Sequence, residues 1–251
     1  MLLTDTAPGV HLIRHANVNC WLIEGDGPGG PGLTLVDAAL PRTWRHLRAA
    51  VATLGYRMAD IRALVLTHAH FDHVGMARRL IRELDLPVHA HRADHRLAAH
   101  PYRYEHEKPV LPYPLRHPRA LRVVLPMALA GATFVRGIGG VRELTVDQAL
   151  DVPGRPTVIA TPGHTHGHVA LHLPEREAVF TGDALVTLDP YTARPGPRLV
   201  AGAATADRGQ ALASLDAIEA TGATHVLPGH GEPWGRGVGR AVAAARRNGM
   251  A

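Results

Sequence analysis

The sequence has little cysteine, little lysine and no long apolar run, and each shortage excludes a class of protein. Cys20 is the only cysteine in 251 residues, so the chain forms neither an intramolecular disulfide nor a cysteine-bound iron–sulfur cluster. Any metal must therefore be held by histidine, aspartate or glutamate. The longest nearly uncharged apolar stretch, residues 123–135, contains Pro126 and Gly131 and is shorter than the ~18 residues that a membrane-spanning helix needs.

Arginine supplies almost all of the positive charge. Lys108 is the only lysine, and the formal net charge is +5. A basic chain favours anionic partners such as carboxylates or phosphates. The arginines are scattered along the sequence, however, which disfavours nucleic acid and leaves a small molecule as the expected partner. The first ten residues lack the basic start and apolar stretch of a targeting segment, so we expect a cytoplasmic protein with no membrane partner.

Strand-like and helix-like segments alternate along the chain. Residues 10–24 and 33–36 predict antiparallel strands, and the apolar spacing within residues 41–54 predicts a helix. The short apolar run 63–66 is typical of a strand covered on both faces, and a second helix is expected over 74–84. Further strands are predicted at 157–160, 169–173, 178–180 and 225–227, with a helix at 207–220. This order indicates an α/β sandwich of two or four layers.

Residues 95–145 interrupt this alternation. The segment is rich in proline and tyrosine and ends in the apolar run described above. We expect one domain over residues 1–251, with this segment as a lid-like insertion over the core. Its tyrosines are candidate substrate contacts, since binding loops commonly lie over a site; the candidates are Tyr102, Tyr104, Tyr113 and, further along the chain, Tyr191.

The densest group of chemically active residues follows the predicted strand at 63–66. His68, His70, Asp72 and His73 lie within six residues. In an extended backbone His68 and His70 point to one side, while Asp72 and His73 can face a neighbouring point. Two adjacent metal ions are therefore geometrically feasible.

Three more potential ligands follow short apolar runs, each after a glycine. They are His164, Asp183 and His230. Strand ends in α/β folds present their loops to one crevice, so these side chains are expected to converge with the first group. A carboxylate such as Asp183 between two cations would offset their repulsion and fix their separation at roughly 3.5–4 Å. The chain has 18 histidines, so the alternative to metal binding is that these are ordinary surface or hydrogen-bonded histidines. Because ligand-type residues follow four separate predicted strands, metal binding is the favoured interpretation.

The pattern His-x-His-x-Asp-His, followed by a distant His, Asp and His, resembles the metallo-β-lactamase-fold hydrolase superfamily. The resemblance implies a four-layer αβ/βα sandwich. It also implies that His68, His70 and His164 hold one divalent metal, that Asp72, His73 and His230 hold a second, and that Asp183 bridges them. Asp37 matches a strand-end aspartate of the family, although Ala39 stands where glycine is common. Asp37, His166 and His168 are expected to lie next to the ligands and hold them in position without binding the metal themselves.

Residues 161–168, Thr-Pro-Gly-His-Thr-His-Gly-His, are similar to the glyoxalase-II-like and lactonase-like branch. β-Lactamases of this fold usually lack the bridging aspartate, so the presence of Asp183 disfavours antibiotic hydrolysis. Lactonases carry a tyrosine three positions after that aspartate; here the residue is Val186, and the nearest downstream tyrosine is Tyr191. The resemblance implies hydrolysis of a thioester, lactone or related ester by a hydroxide shared between two metals, with Asp72 and Asp183 as the catalytic carboxylates.

Two other activities remain open at this point. One is a persulfide dioxygenase with a single iron, and the other is a phosphodiesterase of the ribonuclease Z type. Zinc is the expected metal, although histidine and carboxylate donors also accept iron or manganese. A homodimer is compatible with the sequence.

Overall fold

The N-terminal half of the chain forms a seven-stranded sheet within the residues that the computed structural model describes, 1–110 and 112–250. Its strands lie in chain order: β1 (Leu2–Ala7), β2 (Val10–His15), β3 (Val18–Gly27), β4 (Gly30–Val36), β5 (Ile61–Val65), β6 (Val88–Ala90) and β7 (Arg142–Glu143). Strands β1 to β4 pair antiparallel, as predicted, and β4 to β7 pair parallel. The loops after β4, β5 and β6 therefore leave the sheet at one edge.

The second half supplies the remaining strands. They are β8 (Thr157–Ala160), β9 (Val169–Leu173), β10 (Ala178–Gly182), β11 (Val186–Leu188), β12 (Pro195–Arg198) and β13 (His225–Pro228). In the described part of the chain, four of them make a second sheet in the order β13-β10-β9-β8, and β11 pairs with β12 separately. Because β10 and β13 run parallel, the loops that follow them also leave at one edge.

The helices are α1 (Trp44–Thr53), α2 (Ala77–Leu84), α3 (His95–Ala99), α4 (Pro112–Arg116), α5 (Leu121–Leu129), α6 (Arg208–Glu219) and α7 (Val238–Asn248). Helix α1 buries Trp44, Leu47 and Val51, the face that the spacing predicts. Helix α6 begins after Asp207, whose side chain accepts a hydrogen bond from the amide of Gln210, 2.9 Å away. No helix of the described residues is long and apolar enough to span a bilayer.

Alternating side chains of β3 separate the layers. Cys20 and Leu22 pack into the cluster that contains the buried face of α1, whereas Trp21 packs against the second sheet. The ring of Trp21 meets Phe180 edge-on at 5.8 Å between centroids. Burial of such a phenylalanine side chain contributes roughly 1.5–3 kcal/mol.

The far face of the second sheet packs on α6 and α7 through Val179 and Val226. The order helices, sheet, sheet, helices confirms the predicted four-layer αβ/βα sandwich.

The two sheets are joined at the edge where the predicted ligands lie. Nδ2 of Asn19, in β3, donates to the carbonyl oxygens of Pro228 and Gly231 at 2.9 and 2.8 Å. The backbone amide of Asn19 also donates to the carbonyl oxygen of Gly229 at 2.9 Å. These bonds attach the loop after β13 to the first sheet.

Candidate metal centre

Asp37, directly after β4, fixes the segment that follows β5. Its Oδ1 accepts from the amide of Thr67 at 2.8 Å, and its Oδ2 accepts from Thr67 Oγ1 at 2.9 Å. Oδ2 also lies 2.9 Å from Nδ1 of His73. Because a carboxylate only accepts, Nδ1 of His73 carries the proton, and Nε2 is the nitrogen available for a metal. The structure thus places Asp37 behind the predicted ligands.

His68, His70 and His164 form one group of converging nitrogens. A ligand atom of each lies within 4.8 Å of the others, and all three side chains are buried. Nε2 of His164 is 3.0 Å from Nδ1 of His70. The loops after β5 and β8, which belong to different sheets, bring these imidazoles together.

Asp72, His73 and His230 form a second group with the same closeness and burial. Nε2 of His230 lies 3.2 Å from Oδ2 of Asp72. The other ring nitrogen of His230, Nδ1, donates to the backbone oxygen of Asn17 at 2.7 Å. This bond holds the ring so that Nε2 faces the group.

Asp183 lies between the two groups. Its Oδ2 is 3.5 Å from Nε2 of His164 and 3.4 Å from Nε2 of His230. Its Oδ1 is 3.6 Å from Nε2 of His73. One carboxylate therefore reaches both groups.

Several polar atoms of this cluster are buried with no hydrogen-bond partner among the described residues. They include Nε2 of His68, His70 and His73 and Oδ1 of Asp183. Buried polar atoms are nearly always paired, so a set of unpaired ones that converge needs an explanation. Imidazole nitrogen and carboxylate oxygen are donors that zinc, iron and manganese accept. The residues present therefore fit divalent metal ions.

Protons occupy part of the cluster when no metal is bound. Burial acts against the charged imidazole of His73, but the carboxylates of Asp37 and Asp183 raise its pKa to about 9. Burial opposes protonation of His230 too, yet Asp183 and Asp72 raise its pKa well above the usual value. By contrast, burial lowers the pKa of His68 well below its usual value. Metal binding would displace the protons of His73 and His230.

Asp94, which the sequence interpretation missed, connects two of the ligand loops. Its Oδ2 accepts from the amide of Ala69 at 3.0 Å and from Oγ1 of Thr165 at 2.8 Å, and its Oδ1 accepts from the amide of Gly167 at 2.9 Å. The available signal was its place shortly after β6, at the same edge of the parallel strands.

The two histidines expected to support the ligands lie in different surroundings. His168 is buried beside Asp183, whose amide it binds. His166 is half-exposed, and its Nε2 lies 3.1 Å from Glu105 at the surface. The structure therefore places His168 next to the ligands but brings His166 to a surface carboxylate instead.

An apolar cavity of about 280 Å³ opens beside Asp72. Its walls include Tyr102, Tyr104 and Tyr191. The ring of Tyr104 lies 4.5 Å from that of His70, and the hydroxyl oxygens of Tyr104 and Tyr191 are 3.2 Å apart. Tyr113 is buried behind Tyr191, with ring centroids 6.1 Å apart. Three of the four predicted tyrosines thus line this cavity.

Comparison with known proteins places the chain in a family. The profile of the metallo-beta-lactamase superfamily matches residues 14–230. The chain therefore belongs to the metallo-beta-lactamase superfamily, which confirms the resemblance in the sequence.

Individual relatives are more distant. The chain is similar to the probable metallo-hydrolase YflN of Bacillus subtilis (strain 168), at 25% identity over 74% of this chain and 67% of that protein. It is also similar to a hydroxyacylglutathione hydrolase of Fuscovulum blasticum, at 31% identity over 55% of this chain and 38% of that protein. The chain thus spans well under half of the latter relative.

Solved structures share the fold. A metallo-beta-lactamase family protein of Thermus thermophilus, TTHA1429, superposes with a TM-score of 0.65 at 27% identity, over 96% of this chain and 78% of that one. The protein TTHA1623, solved in a di-iron-bound form, superposes with a TM-score of 0.63 at 27% identity, over 93% and 96% of the two chains.

Proposed function

We propose that this metallohydrolase binds two divalent metal ions and cleaves a thioester, lactone or related ester. One observation carries the proposal: the carboxylate of Asp183 lies within 3.6 Å of imidazoles from both ligand groups. A carboxylate in this position suits two cations better than one, because its negative charge would offset their mutual repulsion.

The metal ligands follow from the two groups. His68, His70 and His164 would hold one ion and Asp72, His73 and His230 the other, with Asp183 bound to both. Zinc is the expected metal; iron and manganese suit the same donors, and the similar protein TTHA1623 holds two irons. When bound, such a pair lowers the pKa of a shared water to about 7 and polarises a substrate carbonyl.

Asp72 is assigned the proton transfer. Its carboxylate is buried and lines the apolar cavity where a substrate would enter. Burial acts to raise its pKa, but the hydrogen bond with His230 and the nearby imidazoles lower it overall, so the group is an anion that can accept a proton. Asp72 would take the proton of the attacking water and donate it to the leaving oxygen or sulfur.

The apolar cavity is assigned to the acyl part of the substrate. Burial raises the pKa of Tyr104, and raises that of Tyr191 well above its usual value, so both phenols keep their protons and can donate hydrogen bonds. We assign Tyr102, Tyr104 and Tyr191 to substrate contact and Tyr113 to their support, with residues of about 95–145 as the lid.

A second cavity of about 300 Å³, beside His164 and lined by Arg96 and Arg103, would receive a polar leaving group.

Elemental analysis combined with a substrate panel tests the proposal. We expect about two metal ions per chain, by the ligand count. We also expect turnover of at least one substrate in a panel of acyl thioesters, lactones, aryl esters, hydroxyacylglutathione and a phosphodiester. Asp183→Ala should lose metal and turnover, whereas Asp216→Ala, at an exposed aspartate on α6, should keep both. Full turnover after metal removal would contradict the proposal.

A further inference from the structure

Helix α5 exposes a stripe of leucines. Leu121, Leu125 and Leu129 are 55%, 59% and 63% exposed, and their spacing of four residues places them on one side of the helix. Leu115, in α4, and Phe134, five residues after the end of α5, are 87% and 84% exposed. Large apolar side chains exposed along one side of a helix mark a candidate binding face.

The fold does not need these leucines for its core. The opposite side of α5 carries Val123 and Met127, which are buried against the helical layer that includes α1. Helix α5 is therefore anchored from one side and leaves a second apolar side in water.

The charge around this face has one sign. Residues 108–142 contain six of the chain's 27 lysines and arginines and none of its 22 aspartates and glutamates. The rest of the chain holds nearly equal numbers of bases and acids, so this segment accounts for the net positive charge. Arg116, Arg119, Arg122 and Arg136 are all exposed. In the described part of the chain, no ion pair joins any of these four to a carboxylate.

A basic groove adjoins the Leu129 end of the stripe. It has a volume of about 650 Å³ and is lined by Arg42, Arg45 and Arg79 together with Leu129. Arg42 Nη1 donates to the carbonyl oxygen of Leu129 at 2.6 Å, which fixes this guanidinium beside α5. Arg79 is partly neutralised by Glu83, 2.7 Å away. Guanidinium groups in a groove of this size suit a phosphate group.

We propose that the exposed side of α5 and the adjoining basic groove dock on an anionic lipid bilayer. The leucines would enter the interfacial layer, while the arginines would bind lipid phosphates. Helix α5 has nine residues and would lie along the surface rather than span it. A second copy of this chain fits less well, because pairing this face with itself would bring two sets of arginines together. The proposal departs from the expectation of no membrane partner and does not depend on the proposed reaction.

Vesicle sedimentation tests the proposal with the full, metal-loaded chain. The probes are vesicles of phosphatidylcholine alone and of phosphatidylcholine mixed with phosphatidylglycerol. We expect binding to the mixed vesicles only, weakened by salt because surface charges are screened. Leu125→Glu should reduce the partition coefficient roughly tenfold or more, and Arg119→Gln or Arg122→Gln roughly fivefold each.

Leu212→Glu is the matched control, because Leu212 is a partly exposed leucine on the distant helix α6. It should bind vesicles like the unmodified chain. Metal content should be unchanged in Leu125→Glu, because none of the grouped metal-ligand candidates lies on α5, so a failure of membrane docking is distinguishable from a failure of the proposed metal centre. The proposal is wrong if the unmodified chain ignores anionic vesicles or if Leu125→Glu binds them equally well. It is also wrong if sedimentation velocity shows a dimer that Leu125→Glu dissociates while no vesicle binding occurs.

Discussion

The backbone amide of Asp183 donates a hydrogen bond to Nε2 of His168, 3.0 Å away. Nδ1 of the same ring lies 2.8 Å from Oγ1 of Thr161, so both ring nitrogens are engaged. Burial lowers the pKa of His168 to about 3, which keeps the ring neutral and lets Nε2 accept. His168 therefore positions the aspartate between the two ligand groups and is not itself free to bind a metal.

Replacing His168 tests this positioning role. We expect His168→Ala to lower metal affinity or kcat/KM by roughly 10–100-fold, because removal of such supporting hydrogen bonds lets a ligand move. His166→Ala makes the same change two residues away, at a side chain paired with Glu105 at the surface, and should leave metal affinity unchanged. Metal titration and steady-state kinetics measure the difference. Equal losses in the two variants would show that His168 has no special role.

Gly229 occupies a place that tolerates no side chain. A Cβ atom there would lie 2.2 Å from Oδ1 of Asp183 and 2.8 Å from Cε1 of His73. We expect Gly229→Ala to displace the aspartate, to lower the metal content and to destabilise the chain by about 1–3 kcal/mol. Gly235→Ala is the control, since a methyl group added there would have nothing within 4 Å in the described part of the chain. Elemental analysis and urea unfolding check both variants; normal metal content in Gly229→Ala would refute the expectation.

Metal affinity and the stability of the metal-free chain should change with pH in opposite directions. The pKa of His73 is raised from 6.5 to about 9 in the folded chain. Its protonated form therefore stabilises the metal-free fold fully below pH 6.5, and this contribution is lost as the pH rises through about 9. Metal binding needs the neutral ring, so affinity should rise over the same interval.

Urea unfolding in the presence of a chelator and metal competition titrations measure the two trends. The metal-loaded chain is the control for stability, because there the ion replaces the proton and no such loss is expected. An affinity that stays flat between pH 6.5 and pH 9 would contradict the prediction.

Filling the apolar cavity should select against long acyl chains. Met127 lines the cavity from the inner side of α5, so Met127→Trp should lower kcat/KM for a decanoyl ester by roughly tenfold or more and affect an acetyl ester much less. Leu125→Trp, on the outer side of the same helix, should change neither value. Kinetics with soluble substrates of increasing chain length check this. Equal losses for short and long substrates would instead indicate general distortion of the site.

The fold could be predicted from the sequence because the patterns that indicate strands and helices lie within short segments of the chain. The alternation in β3 and the helical spacing of Trp44, Leu47 and Val51 each report burial directly. The convergence of the ligand-type residues followed from the rule that strand ends share an edge. Glycine before His164, Asp183 and His230 made those loops recognisable without knowledge of their partners.

Other features depend on contacts between distant segments. Helix α2 begins at Ala77 rather than at the predicted residue 74, and in the segment before it the amides of Gly75 and Met76 donate to the carbonyl oxygens of Ala39 and Ala38 at 2.8 and 3.0 Å. Asp94 was not recognised because its carboxylate acts on backbone amides of two remote loops. Neither pairing leaves a periodic or spacing signal in the sequence.

The donors come from both halves of the sandwich: His68, His70, Asp72 and His73 follow β5 of the first sheet, and His164, Asp183 and His230 follow strands of the second. Ions held by such a set would cross-link the two sheets at their shared edge. Chelation would then weaken the contact between the halves, and resistance to proteases would depend on metal supply as strongly as catalysis does.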